Sequence, residues 1–241
     1  MRQSISIDED REVADMRRSE INERIRDAER FFADMNFHLP PWAFRTPAEW
    51  AGRRETDSEI LGAMLGWDLT DFGSGDFPAR GLLLFTLRNG VSRDGAATKP
   101  YAEKIMIVDE GQETPLHFHW SKTEDIIVRG GGKLALQLYA SNPDETLSPE
   151  PVHVVVDGIA RTLPAGGRVV LAPGESICLV PGLYHRFYGE EGSGRVLVGE
   201  VSAVNDDTSD NRFYEGVGRF PDIEEDEPPF RLLASDYPAH V

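Results

Sequence analysis

The chain has 241 residues, and 25 Lys and Arg against 42 Asp and Glu give it a formal net charge of −17. Such acidity argues against binding to nucleic acid or to an anionic membrane surface, because both are held mainly by Lys and Arg. The single cysteine, Cys178, excludes an internal disulfide and favours a reducing compartment. No apolar run approaches the roughly 18–20 residues that span a bilayer. The composition predicts a cytoplasmic protein with a small or neutral partner.

The N-terminal part of the chain is predicted to be helical. Residues 1–18 are polar and charged, which favours a mobile arm preceding a single domain over residues 19–241. A helix is expected from Ser19, which can serve as its N-cap, because apolar residues follow at helical spacing. Thr46-Pro47-Ala48-Glu49 has the pattern of a capping box with proline at the first helical position. The helical segment is expected to span residues 19–66.

From about residue 81 to residue 204 the chain consists of short runs rich in Val, Ile and Leu, each closed by Gly, Pro, Asn or Asp. The runs are GLLLFTLRNG, KIMIVDEG, EDIIVRG, KLALQLY, VHVVVDG, RVVLAPG, SICLVPG and RVLVGEVS. Asp157-Gly158 is typical of a two-residue hairpin turn. This pattern predicts a mainly β protein, an antiparallel barrel or double-sheet jelly roll with the N-terminal helices packed outside. The acidic C-terminal run IEEDEPP is expected to be a solvated surface segment.

Three of the six histidines have a spacing that predicts a metal site. His117 and His119 alternate along a strand-like segment, so both side chains should face the same side of a sheet. Glu124 follows across a turn, and His185 can supply a fourth ligand from a second turn-to-strand segment. A single strand histidine is more often an ordinary hydrogen-bonded residue, but the complete set suits Mn²⁺, Fe²⁺, Co²⁺, Ni²⁺ or Zn²⁺.

Two lysines bracket the histidine pair. Lys104 interrupts an otherwise apolar strand, where burial of an unpaired ammonium is costly, so an inward side chain would contact a substrate or a carboxylate. The alternative is a lysine that protects an edge strand from aggregation. Lys122 lies on the short loop before Glu124 and either reaches the site or is solvated there. Glu200 ends an apolar strand, and its side chain can face the barrel interior as a proton-transfer base.

The glycines around these residues carry a resemblance. The spacing Gly111-x₅-His117-x-His119-x₄-Glu124-x₆-Gly131 resembles the first sequence motif of the cupin superfamily, and Gly174-x₇-Gly182-x₂-His185 resembles the second. The second motif departs from the usual pattern at two positions. Pro181 directly precedes the glycine, and Gly189 stands where asparagine is usual. The resemblance implies a cupin jelly roll whose metal ligands are His117, His119, Glu124 and His185.

Longer stretches resemble one family of cupins, the D-lyxose isomerases. They lie between about Ser19 and Arg219, and include RSEINERIRDAERFFADMNFHLPPWAF, GWDLTDFG, YAEKIMIVDEGQETPLHFHWSKTEDIIVRGGG and GEVSAVNDDTSDNRFYEGVGRF. The resemblance implies an aldose–ketose isomerase that uses Mn²⁺, with Co²⁺, Fe²⁺ or Zn²⁺ as alternatives. It would interconvert D-lyxose and D-xylulose, with D-mannose and D-fructose as slower partners. Its substrates would be neutral free sugars, which an acidic protein does not repel.

The resemblance also covers an acidic run in which most side chains are expected to be solvated. The catalytic candidates are Lys104, Glu200 and, from this run, Glu215, without deciding which carboxylate moves the proton. The candidates for contacts with sugar hydroxyls are Lys122, Asp206, Asp210 and Arg212.

Three other functions are compatible with the same four ligands. A non-haem Fe²⁺ cupin dioxygenase would need iron and O₂, and a non-catalytic metal- or sugar-binding cupin would need neither Lys104 nor Glu200. A phosphosugar isomerase would need a basic or N–H-rich pocket, and no cluster of Lys and Arg is present. Because cupin domains commonly pair edge to edge, a homodimer is expected.

Overall fold

The computed structural model describes residues 16–93, 96–97, 99–204, 209–217 and 222–241. The helices are α1 (Arg18–Asp34), α2 (Pro47–Trp50), α3 (Ser58–Gly62) and α4 (Tyr237–His240), with 3₁₀ turns at Pro41–Phe44 and Ala234–Asp236. The strands are β1 (Met16–Arg17), β2 (Gly66–Thr70), β3 (Leu82–Arg88), β4 (Ser92–Arg93), β5 (Ala96–Ala97), β6 (Tyr101–Val108), β7 (Glu113–His119), β8 (Glu124–Gly131), β9 (Leu134–Ala140), β10 (Val152–Val156), β11 (Ile159–Leu163), β12 (Gly167–Leu171), β13 (Ser176–Leu179), β14 (Leu183–Gly189), β15 (Val196–Ala203), β16 (Asn211–Phe213) and β17 (Ile223–Glu224).

Two antiparallel sheets enclose the main core. One has eight strands in the order β11-β10-β13-β8-β15-β6-β3-β2, and the other has five in the order β12-β9-β14-β7-β16. The predicted mainly β jelly roll is confirmed. Asp157 and Gly158 join β10 to β11 with φ values of 50° and 78°, as a two-residue hairpin turn requires.

Both faces of the eight-stranded sheet are covered at β3, β6 and β15, which explains why these three strands are largely apolar. On β6, Met106 and Val108 belong to the core between the sheets, whereas Ile105 and Ile107 belong to a second core under α1. Alternate residues of a strand point to opposite faces. Lys104 therefore shares the inner face with Met106, and its ammonium is directed into the barrel.

Helix α1 packs on the outside of the eight-stranded sheet, as predicted. Its buried apolar residues are Ile21, Ile25, Ala28 and Phe32, and they contribute to the second core with Trp67 and Phe85. Trp67 lies on β2, a strand that the sequence analysis did not predict. The capping box at α2 is confirmed, because the Glu49 carboxylate accepts a hydrogen bond from the Thr46 backbone N–H at 2.8 Å.

The predicted boundary of the N-terminal arm is wrong by three residues. Met16 and Arg17 form β1, which pairs in parallel with β17, and α1 begins at Arg18. The guanidinium of Arg18 is buried between Glu225 and Asp236, at N–O distances of 2.6 and 2.9 Å. Residues 16–18 are therefore part of the fold, because they pair with residues near the C-terminus. Residues 1–15 lie outside the described residues.

The acidic run IEEDEPP is largely exposed, as predicted, but it is also bound to α1. Asp226 accepts hydrogen bonds from the backbone N–H and the hydroxyl of Ser19, at 2.9 and 2.6 Å, and Glu227 accepts one from Asn22 at 2.6 Å. Carboxylates are favourable at a helix N-terminus, where unpaired N–H groups concentrate positive charge. The cap of α1 therefore comes from Asp226, and Ser19 is not its N-cap.

Among the described residues, no helix has the length and apolar character needed to cross a bilayer.

The buried position of Arg18 generates a stability prediction. We expect Arg18→Ala to lower the free energy of unfolding by about 3 kcal/mol, because removing one partner leaves the Asp236 carboxylate buried without its main counterion. Urea unfolding would measure the change. Arg17→Ala is the matched control, since the neighbouring Arg17 is exposed and pairs only with Glu20 among described residues, and its unfolding midpoint should barely move. Equal midpoints for the two variants would contradict the prediction.

Candidate active site

A cavity of about 330 Å³ lies inside the barrel, close to the lower end of the range of about 300–1,000 Å³ typical of small-molecule sites. Part of its wall is apolar, formed by Leu82, Leu84, Met106, Ile126 and Phe187. The polar part is formed by Asp68, Thr70, Lys104, Thr114, His117, His119, Lys122, Glu124, Glu200 and Asn211. The wall of this cavity thus combines apolar side chains with a group of titratable ones.

Three histidines meet beside this cavity because two strands pair in register. His117 on β7 lies directly opposite His185 on β14, and His119 follows two residues later on the same face of β7. All three side chains are buried, and one ring nitrogen from each lies within 4.8 Å of the others. Phe118 points away from the cavity and packs on Tyr184. The alternation predicted from the sequence is confirmed.

Backbone carbonyls orient two of the three imidazole rings. Nδ1 of His117 donates a hydrogen bond to the Pro115 carbonyl at 2.7 Å, and Nδ1 of His185 donates to the Leu183 carbonyl at 3.0 Å. A carbonyl oxygen only accepts, so the neutral form of each ring leaves Nε2 with a free lone pair. Burial, with the neighbouring His185 and His119, holds the pKa of His117 well below its usual value. A neutral imidazole is the form that binds a metal.

Glu124, at the start of β8, adds a carboxylate to the three rings. Its Oε1 lies 3.3 Å from Nε2 of His119 and 3.2 Å from Nε2 of His185. Burial alone would raise the pKa of this carboxyl, but the Lys122 ammonium and the His119 ring outweigh burial and hold the pKa well below its usual value. Glu124 is therefore a carboxylate, as a metal ligand must be.

The chemistry of this cluster fits a divalent cation. Three imidazole nitrogens and one carboxylate oxygen form a donor set that suits Mn²⁺, Fe²⁺, Co²⁺ or Zn²⁺. Nε2 of His185 is buried and, although Glu124 is close, makes no well-aligned hydrogen bond. A buried nitrogen lone pair without a donor is costly unless something else binds it. The buried three-histidine group can hold a metal.

A second charged cluster lies next to the first. Lys122 Nζ is 2.9 Å from Glu124 Oε2 and 3.0 Å from Glu200 Oε1, and Lys104 Nζ is 3.6 Å from the same Glu200 oxygen. The side chains of both lysines and of Glu200 are less than a tenth exposed. The edge-strand alternative for Lys104 is wrong, because β6 lies between β15 and β3. The solvated-loop alternative for Lys122 is wrong as well.

The structure does not bring every predicted site residue to the cavity. The Glu215 side chain is 65% exposed and pairs with Arg80 at 3.1 Å, so it lies away from the charged cluster. Arg212 is half-exposed and pairs with Glu145, because alternation on β16 sends it away from the cavity that Asn211 and Phe213 line. These two expectations are corrected by the structure.

Asp210 is buried, but its carboxylate binds the β7–β8 loop, not the cavity. The expected sugar contact at Asp210 is therefore corrected too. Asp206 lies outside the described residues.

Several cavity residues were missed by the sequence analysis. Asn211 and Phe213 on β16 pair with His119 and His117, and the Phe213 ring centroid lies 5.2 Å from that of His117. Asp68 and Thr70 face the cavity from β2. The alternation in Trp67-Asp68-Leu69-Thr70 was the available signal. Here the apolar face packs under α1 and the polar face lines the cavity.

A jelly-roll barrel with a buried group of three histidines and a carboxylate, beside an internal Glu–Lys cluster, defines a cupin-type protein with a candidate metal centre. The family model described as D-lyxose isomerase matches residues 16–237. The chain belongs to the D-lyxose isomerase family, and it is an aldose–ketose sugar isomerase.

Relatives with curated names match almost the whole chain. A protein named D-lyxose/D-mannose isomerase from Serratia proteamaculans is 51% identical over 223 residues, which cover 92% of this chain and 98% of the relative. A protein of the same name from Escherichia coli O157:H7 is 47% identical over 226 residues, with coverages of 92% and 98%.

Solved structures share the fold at low sequence identity. The L-ribose isomerase of Acinetobacter sp. DL28, in complex with L-ribose, has a TM-score of 0.58 and 18% identity, covering 87% of this chain and 98% of that one. The L-ribose isomerase of Cellulomonas parahominis, with L-psicose, has a TM-score of 0.55 and 20% identity, with coverages of 87% and 99%. These similarities support the barrel architecture.

The histidine geometry predicts where a metal binds. Loss of a residue that hydrogen-bonds to a metal ligand typically weakens metal binding by roughly 10–100-fold. We expect His185→Ala to weaken Mn²⁺ binding by more than this, because it removes a ligand itself. Calorimetric titration of the metal-free protein with Mn²⁺ would measure this. His153→Ala is the control, since His153 lies on β10, is exposed and bonds Thr162. Unchanged Mn²⁺ affinity in a folded His185→Ala protein would refute the site.

Proposed function

We propose that this protein interconverts D-lyxose and D-xylulose, and more slowly D-mannose and D-fructose, by moving a proton between C1 and C2 through an enediol. The observation that carries the proposal is the buried Glu200 carboxylate, held between Lys104 and Lys122 and adjacent to the histidine–carboxylate group. The names of the two curated relatives, at 51% and 47% identity, support this choice of sugars.

Glu200 is the proposed proton carrier. The described carboxylates that line the cavity are Asp68, Glu124 and Glu200. Glu124 contacts two histidines, and Asp68 lies on β2, three strands away from β15 in the sheet. Glu200 therefore takes the proton from C2 of the aldose and returns it to C1, while the proton of the C2 hydroxyl moves to the oxygen on C1. A positioned proton carrier contributes about 10²–10⁴-fold to a rate.

The two lysines have an electrostatic role in this proposal. Proton removal from C2 moves negative charge onto the oxygens of the sugar, and ammonium groups in a water-poor site stabilise that charge. Lys122 is placed for this because its Nζ lies between Glu200 and Glu124. Lys104 approaches Glu200 from the neighbouring strand and restrains the carboxylate that moves the proton.

Four side chains would hold the metal, which we propose to be Mn²⁺, with Co²⁺, Fe²⁺ or Zn²⁺ as alternatives. They are His117, His119, Glu124 and His185. A divalent cation in this place supplies Lewis-acid stabilisation of negative charge on substrate oxygens.

The cavity favours a neutral free sugar over a phosphorylated one. Its described lining contains two cationic groups, Lys104 and Lys122, and both contact carboxylates. No arginine is among these lining residues, and a phosphate dianion is usually held by arginine or by clustered N–H groups. The net charge of −17 disfavours an anionic substrate further. Membership of the family does not favour a dioxygenase or a non-catalytic cupin. The homodimer and the cytoplasmic location stay predictions.

The first test is a sugar panel with controlled metal. Protein loaded with Mn²⁺ should form D-xylulose from D-lyxose and, more slowly, D-fructose from D-mannose. EDTA should abolish both activities, and added Mn²⁺ should restore them, because the metal is part of the charge stabilisation. Chromatography of the products is the measurement. A folded, Mn²⁺-loaded protein that forms no ketose from either sugar, or that consumes O₂ with Fe²⁺, would exclude the proposal.

The second test compares two glutamates from the predicted catalytic set. Glu200→Gln keeps the shape of the side chain but removes the base, so we expect kcat to fall by about 10²–10⁴-fold with Mn²⁺ still bound. Glu215→Gln should leave kcat near that of the unmodified protein, because Glu215 is exposed and pairs with Arg80. Steady-state kinetics on D-lyxose would separate the two. Similar kcat values for both variants would rule out Glu200 as the base.

A further inference from the structure

The loop between β7 and β8, residues 120–123, carries Lys122 and is bound along its backbone by Asp210. The Asp210 carbonyl accepts the Trp120 N–H at 3.0 Å. Its carboxylate accepts the Ser121 N–H at 2.8 Å and the Lys122 N–H at 3.1 Å, and the Ser121 hydroxyl donates to it at 2.8 Å. Three consecutive loop residues therefore bond to one buried aspartate.

The C-terminal end of the loop, at Thr123, is held by the end of β15. The Ala203 N–H, at the end of β15, donates to the Thr123 carbonyl at 3.0 Å. Ala203 and Asp210 lie on either side of the connection from β15 to β16. The loop is thus attached at its start to Asp210, which precedes β16, and at its end to β15, the strand that carries Glu200. Hydrogen bonds from N–H groups to a carboxylate are among the stronger ones in proteins.

The position of the Lys122 backbone matters because its side chain is long and flexible. The ammonium must stay within about 3 Å of carboxylates on two strands, Glu124 on β8 and Glu200 on β15. A lysine has four rotatable side-chain bonds and loses rotamer entropy when held in one geometry. If the loop moves, the ammonium can leave this bridge for water, where it is well solvated.

We propose that Asp210 is a positioning residue, which fixes the β7–β8 loop so that Lys122 bridges Glu200 and Glu124. The kinetic part of this role rests on the proposed function, whereas the geometric part does not. Misplacement by about 1 Å of a group that acts in a transition state can cost about 10²-fold in rate. Metal binding should be much less sensitive, because the four side chains proposed to hold the metal lie on β7, β8 and β14 and not on the loop.

The experiment uses the full chain with Mn²⁺ and two variants. Asp210→Ala removes all the side-chain acceptors. Asp210→Asn keeps an oxygen for Ser121 and sets an N–H₂ group against the Lys122 N–H. We expect kcat on D-lyxose to fall about 10–100-fold in Asp210→Ala, with Mn²⁺ affinity nearly unchanged.

Chemical labelling tests the geometry without reference to activity. Brief acetylation with acetic anhydride, followed by mass spectrometry, measures the reactivity of each lysine. Both Lys122 and Lys104 are buried and should react slowly in the unmodified protein. In Asp210→Ala and Asp210→Asn the labelling of Lys122 should rise several-fold, while that of Lys104, held on a central strand, should not.

Asp157→Ala is the matched control. Asp157 accepts hydrogen bonds from the Ser176 N–H and hydroxyl at 2.9 and 2.8 Å, the same contacts that Asp210 makes with Ser121, but on a hairpin away from the cavity. This variant should change neither kcat nor the labelling of Lys122.

Lys122 labelling that stays at the unmodified level in a folded variant, or that rises only in parallel with Lys104, overturns the role of Asp210. If Asp210→Ala does not fold, Asp210→Asn decides by the same criteria. A lack of isomerase activity in the unmodified protein would refute the proposed function. The labelling result alone would then show whether Asp210 positions Lys122.

Discussion

The structure depends on pairing a set of buried charges between its two sheets. Lys122 contacts Glu124 and Glu200 at 2.9 and 3.0 Å, and all three side chains are less than a tenth exposed. Transfer of a single ion into such an interior costs several kcal/mol, and loss of one partner leaves another charge uncompensated. The three groups therefore stabilise one another, and the elements that carry them must meet with little positional freedom. This requirement ties the β7–β8 loop to β8 and β15.

Strand register is what brings these charges to the same side of the sheet. Glu200 on β15 lies opposite Lys104 on β6 and opposite Ile126 on β8. A slip by one residue would turn Glu200 outward, because the side-chain period of a strand is two. Helix α1 resists such a slip, since it buries the opposite face of the same strands, including Leu197. The acidic segment that caps α1 from the C-terminus thus contributes indirectly to the geometry of the active site.

The sequence predicted what depends on local periodicity and failed where distant segments decide. The inward direction of His117 and His119 follows from alternation within one strand, and the buried Lys104 follows from its apolar neighbours. The positions of Arg212 and Glu215 depend on how β16 pairs with β7, which no local pattern reveals. The acidic run IEEDEPP is typical of solvated surface by composition, yet it is bound to α1 because residues about 205 positions apart in the chain come together. The face of a strand to which a side chain points was predictable from the sequence. Which distant segments pair with one another was not.

The identity of the bridging residue also has a physical reason. A lysine ammonium is a compact charge with three donors that can point in different directions, so one group can contact carboxylates from two strands. An arginine guanidinium is planar, and it binds a carboxylate best when both carboxylate oxygens accept parallel hydrogen bonds. Glu124 faces the histidines with one oxygen and Lys122 with the other, so it cannot offer both oxygens to an arginine. The geometry therefore suits lysine at this position, where one compact charge contacts both Glu124 and the proposed base Glu200.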